Sequence, residues 1–259
     1  MPNFTDQMGN TIHLSSFPKR IISLVPSQTE LLFDLGLDKE VAGITKFCIH
    51  PKEKFKSVTK IGGTKDFKLD RIKELQPDLI IGNKEENEQS KITGLQKEFP
   101  VWMSDIGSLS DALDMINSIG ELVGRSKEAR NLSFNIEDQF NSLQKNKPGK
   151  HIKVLYLIWR NPFMAAGKST FINEMLNLCG FENAIQKNRY PEFTTEQLKE
   201  LEIDEVFLSS EPYPFKQKHI EELKEILPQA KIRLVDGELF SWYGSRLLKS
   251  VDYFLKEFI

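Results

Sequence analysis

From Arg20 onward the chain alternates short apolar runs with amphipathic stretches. Arg20–Val25 (RIISLV) is a β-branched run that breaks at Pro26-Ser27, and Gln28–Leu35 continues with helical spacing to a stop at Gly36. Ser27, with Glu30 three residues on, has the form of a capping box. Val41–Thr45 then predicts a strand, Asp70–Leu75 a helix and Leu79–Ile81 a strand after the Pro77-Asp78 break. A helix over Asn87–Glu98 leads to a strand at Val101–Met103. Strands alternating with helices predict a parallel α/β layer.

The pattern changes at Ser110. Leu113, Ile116, Ile119, Leu122 and Val123 form a helical stripe, which Gly124-Arg125-Ser126 interrupts, with Ser126 as a new N-cap. From Lys127 to Lys145 there is no Pro or Gly, enough chain for a helix roughly 30 Å long. Lys147-Pro148-Gly149-Lys150 ends it. Alternation then resumes. Val154–Trp159 predicts a strand, Ser169–Cys179 a helix with Ser169 as cap, Thr195–Leu201 a helix and Glu205–Leu208 a strand. His219–Leu227 predicts a helix, Ile232–Val235 a strand and Ser245–Ile259 a last helix.

The second run repeats the first. Phe67-Lys-Leu-Asp70-Arg-Ile-Lys-Glu-Leu75-Gln-Pro-Asp78 returns as Phe193-Thr-Thr-Glu196-Gln-Leu-Lys-Glu-Leu201-Glu-Ile-Asp204, with Phe, Lys-Glu-Leu and Asp in register. A weaker echo pairs Ser27–Gly36 with Ser169–Gly180. The expected fold is α/β, with two Rossmann-like lobes bridged by a long rigid helix. The lobes are residues 1–124 and 150–259, the bridge 125–149, and a ligand would lie between them at the carboxyl ends of the strands.

Composition narrows the function. The 259 residues are 39% hydrophobic with 18 Phe, so the chain can bury a core and is not disordered. A formal charge of −2 excludes a strongly basic nucleic-acid binder. Cys48 and Cys179 cannot form a disulfide framework. No window is apolar enough for a membrane span, and the polar start MPNFTDQMGN has no apolar signal region. Two locations follow: cytoplasmic, or extracytoplasmic with a signal peptide already removed.

No catalytic constellation is legible. Ala165-Ala-Gly-Lys168-Ser-Thr170 resembles the end of a phosphate loop, but Pro162 stands where that loop needs Gly. Gly62-Gly63 is better read as a close backbone turn. Cys48-Ile49-His50 places a thiol and an imidazole in one loop without metal-ligand spacing, while His13, His151 and His219 are scattered. Aromatic residues gather in three loops of the second half: Trp159-Arg160, Tyr190 ahead of a helix, and Trp242-Tyr243 with Arg246. Rings beside an Arg suit a large, flat ligand, partly apolar and partly anionic.

Phe4–Leu14, Pro18–Ser27, Val41-Ala-Gly-Ile-Thr45, Cys48-Ile-His-Pro51, Ile61-Gly-Gly63, Leu69-Asp-Arg-Ile72, Gln76-Pro-Asp-Leu-Ile-Ile81, Leu176-Asn-Leu-Cys-Gly180 and Glu182-Asn183 occur in the order of one family. With them the chain resembles the substrate-binding proteins of cobalamin and iron–siderophore ABC importers, the helical-backbone metal receptor group, and most of all the vitamin B12-binding type. The resemblance implies the class III periplasmic binding protein architecture and no catalysis. It also implies no intrinsic cofactor or bound metal ion, and a monomer. The ligand it implies is cobalamin or a ferric chelate such as a siderophore or haem. His50 stands where the family turns an aromatic to the ligand, Tyr190 where it carries a Trp, and Thr64 near a Trp that is not retained. Asp70 and Glu196 match the acidic residues that dock onto the permease of the permease–ATPase complex. Two other readings remain at this point: a cytoplasmic protein or enzyme handling a metal cofactor on the same scaffold, and a binder of free metal ions through His50.

Overall fold

The computed structural model describes residues 3–145, 147 and 151–258. The chain divides into two compact units. The first comprises Met1–Ile106, Ser110–Asn135 and Tyr243–Arg246, and the second Gly107–Leu109, Ile136–Trp242 and Leu247–Ile259.

The first unit opens with a hairpin, β1 (Asn3–Thr5) and β2 (Thr11–His13). The strands β3 (Ile21–Ser23), β4 (Val41–Ile44), β5 (Thr59–Lys60), β6 (Leu79–Asn83) and β7 (Val101–Ser104) form a parallel sheet in the order β5-β4-β3-β6-β7. Helices α1 (Pro26–Asp34), α2 (Leu69–Leu75), α3 (Gln89–Gln96) and α4 (Leu109–Leu122) connect or follow these strands. Every residue of β3, β6 and β7 is buried, as expected of parallel strands covered on both faces. Helix α5 (Ser126–Lys145) starts in the first unit and ends in the second.

In the second unit the strands are β8 (Lys153–Trp159), β9 (Phe163–Ala165), β10 (Glu182–Asn183), β11 (Glu192–Phe193), β12 (Glu205–Ser209) and β13 (Lys231–Val235). They run in the order β11-β9-β8-β12-β13. One edge of β8 is shared: its start pairs in parallel with β10 and its end antiparallel with β9. Helices α6 (Phe171–Leu178), α7 (Thr195–Lys199), α8 (Gln217–Ile226), α9 (Glu238–Ser241) and α10 (Leu247–Phe258) complete the unit. Side chains alternate across the sheet. Leu155, Leu157, Val206 and Leu208 enter one buried cluster with Phe163, Leu198 and Leu223. Tyr156 and Phe207 instead join Phe240, Phe254 and Phe258, with ring centroids 4.7–6.4 Å apart. Much of the Phe content is therefore core.

The repeat is structural. β4, β3, β6 and β7 occupy the same order as β10, β8, β12 and β13. Asp78, ahead of β6, accepts the amides of Lys19 and Arg20 at 2.8 Å, and Asp204, ahead of β12, accepts that of Lys153 at 2.8 Å. Each repeat aspartate thus ties the start of its strand to the start of the neighbouring strand, β3 in the first unit and β8 in the second.

Helix starts differ from expectation. Ser27 is not a cap: Pro26 occupies the first turn, where its missing N–H costs nothing, and Val25 is the cap residue. Ser126 is the first residue of α5 rather than its cap. At α6 the cap is Thr170, whose hydroxyl accepts the Asn173 amide, while Ser169 sits at φ +60°. Phe240 and Ser241 lie in α9, not in a loop. Of the stop expected at Lys147–Lys150, residues 148–150 lie outside the described residues, as does Ile259 of the last helix.

Candidate functional site

Parallel α/β sheets bind ligands beyond the carboxyl ends of their strands, where adjacent strands send their connections in opposite directions. In the first unit this point lies between β3 and β6. Asn87, buried there, accepts the Asn83 amide at 2.8 Å and donates to the Thr64 carbonyl at 2.9 Å and the Leu24 carbonyl at 3.4 Å. One side chain so joins the loops after β3, β5 and β6. Gly82 makes room for it, since a Cβ would fall 2.7 Å from Asn87 Oδ1. Nearby, desolvation pushes the Glu86 carboxyl above its usual range, opposed by Lys65.

The loop after β4 alternates in and out. Cys48 is buried, with its Sγ 3.1 Å from Thr29 Oγ1 and 3.2 Å from Thr45 Oγ1. Burial raises its thiol pKa, with the two hydroxyls opposing. Its neighbours Phe47 and Ile49 are 52% and 44% exposed. The Lys46 ammonium lies 5.0 Å from the Phe47 ring centroid. His50 is half-buried before cis Pro51, and Thr64 is half-buried in the turn after Gly62-Gly63. Gly62 is required in that turn: its φ is +116° and a Cβ would meet the Asp66 carbonyl at 2.5 Å.

The corresponding point of the second unit lies between β8 and β12. Trp159 ends β8, 41% exposed, and Tyr213 from the loop after β12 meets its ring edge-on at 5.6 Å. Arg160 is held by Glu222 of α8 through contacts of 2.6–3.1 Å. Glu211 accepts the Trp242 indole N–H at 2.7 Å and the Ser241 hydroxyl at 2.8 Å, which fixes Trp242 in a buried position. Tyr190 is half-buried, with the Arg189 guanidinium 5.5 Å from its ring centroid.

Tyr243 and Arg246 belong to the first unit and are buried. Arg246 Nε and Nη2 donate to the buried Glu30 carboxylate at 2.7 and 2.9 Å. This is a different setting from a ligand-facing guanidinium. Asp70 and Glu196 are exposed in the first turns of α2 and α7. Glu196 is held below the usual carboxylate range by hydrogen bonds from its own amide and the Thr194 hydroxyl.

The loop at Gly167 is not a phosphate cradle. Its Gly167 and Lys168 amides already donate to the Arg189 and Lys187 carbonyls at 2.7 and 2.8 Å. Among the described residues no group of three or more His, Cys, Asp or Glu could hold a metal ion. Sequence reasoning passed over Phe47, Ile49, Asn87 and Tyr213. The first two were signalled by flanking Cys48 in the loop after β4. Tyr213 was signalled by Glu-Pro-Tyr-Pro directly after β12.

Two sheets, each with four like-ordered parallel strands and aromatic side chains in the loops at their carboxyl edges, are the framework of a solute-binding protein. Residues 21–227 match the periplasmic binding protein family, and the chain belongs to it. It is a binding protein and not an enzyme. An uncharacterised ABC transporter substrate-binding lipoprotein of Bacillus subtilis, YvrC, is 27% identical over 95% of this chain and 82% of its own length. The vitamin B12-binding protein of Vibrio parahaemolyticus is 25% identical over 70% of this chain, and the match spans 66% of that relative. Among solved structures, the periplasmic heme-binding protein RhuT from Roseiflexus sp. RS-1 superposes with a TM-score of 0.80 at 19% identity, covering 92% of this chain and 97% of that one. The periplasmic vitamin B12-binding protein BtuF of Vibrio cholerae gives 0.79 at 18%, covering 92% and 96%. These structures establish the fold. No helix among the described residues is long and apolar enough to cross a membrane.

Proposed function

We propose that the chain is the solute-binding component of an ABC importer, that it takes a metal chelate (a corrinoid, a ferric siderophore or haem), and that it works on the extracytoplasmic side with a permease and an ATPase as partners. The observation that carries the ligand class is the apolar surface at the carboxyl edges of the sheets. Phe47, Ile49 and Trp159 are each more than 40% exposed there, while Arg160, next to Trp159, is paired with Glu222 and the Lys46 ammonium lies against the Phe47 ring. Exposed rings and an exposed aliphatic side chain favour a broad, partly apolar ligand over a small ion. The relatives named for vitamin B12 and the structures named for heme support the same class. In this reading His50, Thr64, Trp159 and Tyr190 contact the ligand, and Asp70 and Glu196 meet the permease.

Titration of the purified protein with cyanocobalamin, ferric hydroxamate and catecholate siderophores and haemin, followed by absorbance and calorimetry, tests it. One of them binds with a Kd below about 100 μM, equivalent to more than about 5 kcal/mol. Absence of binding by all of them overturns the ligand class.

A further inference from the structure

His219 is the one of four scattered histidines that the fold buries in a complete hydrogen-bonding environment. It stands in the first turn of α8, 4% exposed, packed edge-on against Tyr213 and Phe215 with centroids 5.5 and 5.4 Å away. Its Nδ1 lies 2.8 Å from the backbone amide of Lys216, which can only donate. Nδ1 must therefore be an unprotonated acceptor, so the neutral ring carries its proton on Nε2. Nε2 in turn lies 3.3 Å from Tyr213 Oη and donates to it. Tyr213 is bound to the Trp159 segment in two ways: its amide donates to the Ile158 carbonyl at 3.3 Å, and its ring meets the Trp159 ring. A chain of contacts runs from the Lys216 amide through His219 and Tyr213 to the exposed indole at the end of β8.

We propose that Tyr213 and His219 are positioning residues that hold Trp159, and that protonation of His219 releases this hold. The inference rests on the reading that the Trp159 loop meets the ligand. Its chemistry is local. A second proton on the ring would put Nδ1–H against Lys216 N–H, two donors at hydrogen-bonding distance. It would also add a charge facing Arg160 from the β8–β9 loop and Lys218 from α8, with Glu222 as the opposing carboxylate. Burial, then Lys218 and Arg160, hold the imidazole pKa below its ordinary value, against Glu222 and the Lys216 backbone, which act to raise it. The neutral, latched form is then fully present above the ordinary histidine value of about 6.5. As pH falls below it, the unfolded or opened chain binds a proton that the latched form does not, and the latch weakens.

The test reads Trp159 without ligand. The indole N–H resonance of Trp159, assigned through Trp159→Phe, is followed from pH 8 to pH 5 in the wild type, His219→Gln and Tyr213→Phe. In the wild type it moves with a single midpoint below about 6.5. In His219→Gln it stays still. In Tyr213→Phe the His219 ring still titrates but Trp159 no longer follows. A Trp159 signal that is flat in the wild type, or that titrates in either variant, overturns the proposal. The affinity for cyanocobalamin, ferric hydroxamate or haemin is measured in parallel at pH 7.5 and 5.5. Whichever binds loses affinity severalfold in the wild type on acidification and less than about twofold in His219→Gln; an equal loss in both also counts against the latch. If none binds while Trp159 titrates as described, the ligand reading fails and the latch stands.

Discussion

At the scale of the residue, Glu30 and Arg246 carry the largest single consequence. Both charges are buried, and each satisfies the other through two hydrogen bonds. Removing one partner leaves an unpaired charge in a dry site, which costs about 3–5 kcal/mol. Arg246→Met and Glu30→Gln are expected to lower the unfolding free energy read from urea denaturation by that order, shifting the midpoint down, and the double variant Glu30→Leu/Arg246→Met to recover much of the loss. Equal midpoints in wild type and single variants would contradict this. Neither role was legible beforehand. Glu30 fitted a capping box with Ser27, and Arg246 sat among aromatics like a ligand group. Their partnership joins positions 216 residues apart, and local pattern holds no trace of such a pair. Cys48 shows the reverse case: its loop was recognised, while its inward direction depends on Thr29 and Thr45, which only the packed α1 and β4 bring together.

Among the elements, the buried strands were legible because parallel strands covered on both faces are apolar throughout. RIISLV and VLYLIW needed no partner to be recognised. The hairpin of β1 and β2 and the strands β9, β10 and β11 were not. Each is two or three residues long, and its pairing is decided by the neighbouring backbone rather than by its own composition. Caps fell between these cases. Thr194 accepts the Gln197 amide, and Gln197 returns a bond to the Thr194 amide, a full capping box on a helix of only 5 residues. On so short a helix the cap is a large share of the stabilisation. Thr194→Ala is expected to cost about 1 kcal/mol and Thr194→Ser a few tenths, measured by chemical denaturation. Thr194→Ala also releases Glu196, so its carboxyl pKa rises toward the ordinary value in an NMR titration. A Glu196 that titrates unchanged in the variant would show that the cap does not hold it.

For the whole molecule, the repeat is the feature that sequence and structure share most fully. Asp70 and Glu196 occupy the same turn of equivalent helices, and the proposed permease contact uses both. Exposed ion pairs contribute about 0–1 kcal/mol each, so the two carboxylates orient docking rather than dominate it. Asp70→Arg/Glu196→Arg is therefore expected to abolish uptake in cells while leaving ligand affinity within about twofold of wild type. A parallel loss of affinity would place them in the ligand site instead. The assignment of Tyr243–Arg246 to the first unit has a consequence for biosynthesis. Most of that unit emerges from the ribosome early, yet Glu30 has no guanidinium until Arg246 has been made, 216 residues later. The first unit must wait, incompletely neutralised, through the synthesis of residues 136–242 of the second unit. A fragment ending at Lys145 reproduces that waiting state, and it is expected to unfold without a cooperative transition and to bind exposed-surface dyes. The segment Tyr243–Arg246, just ahead of α10, then completes a unit whose other elements were made before it.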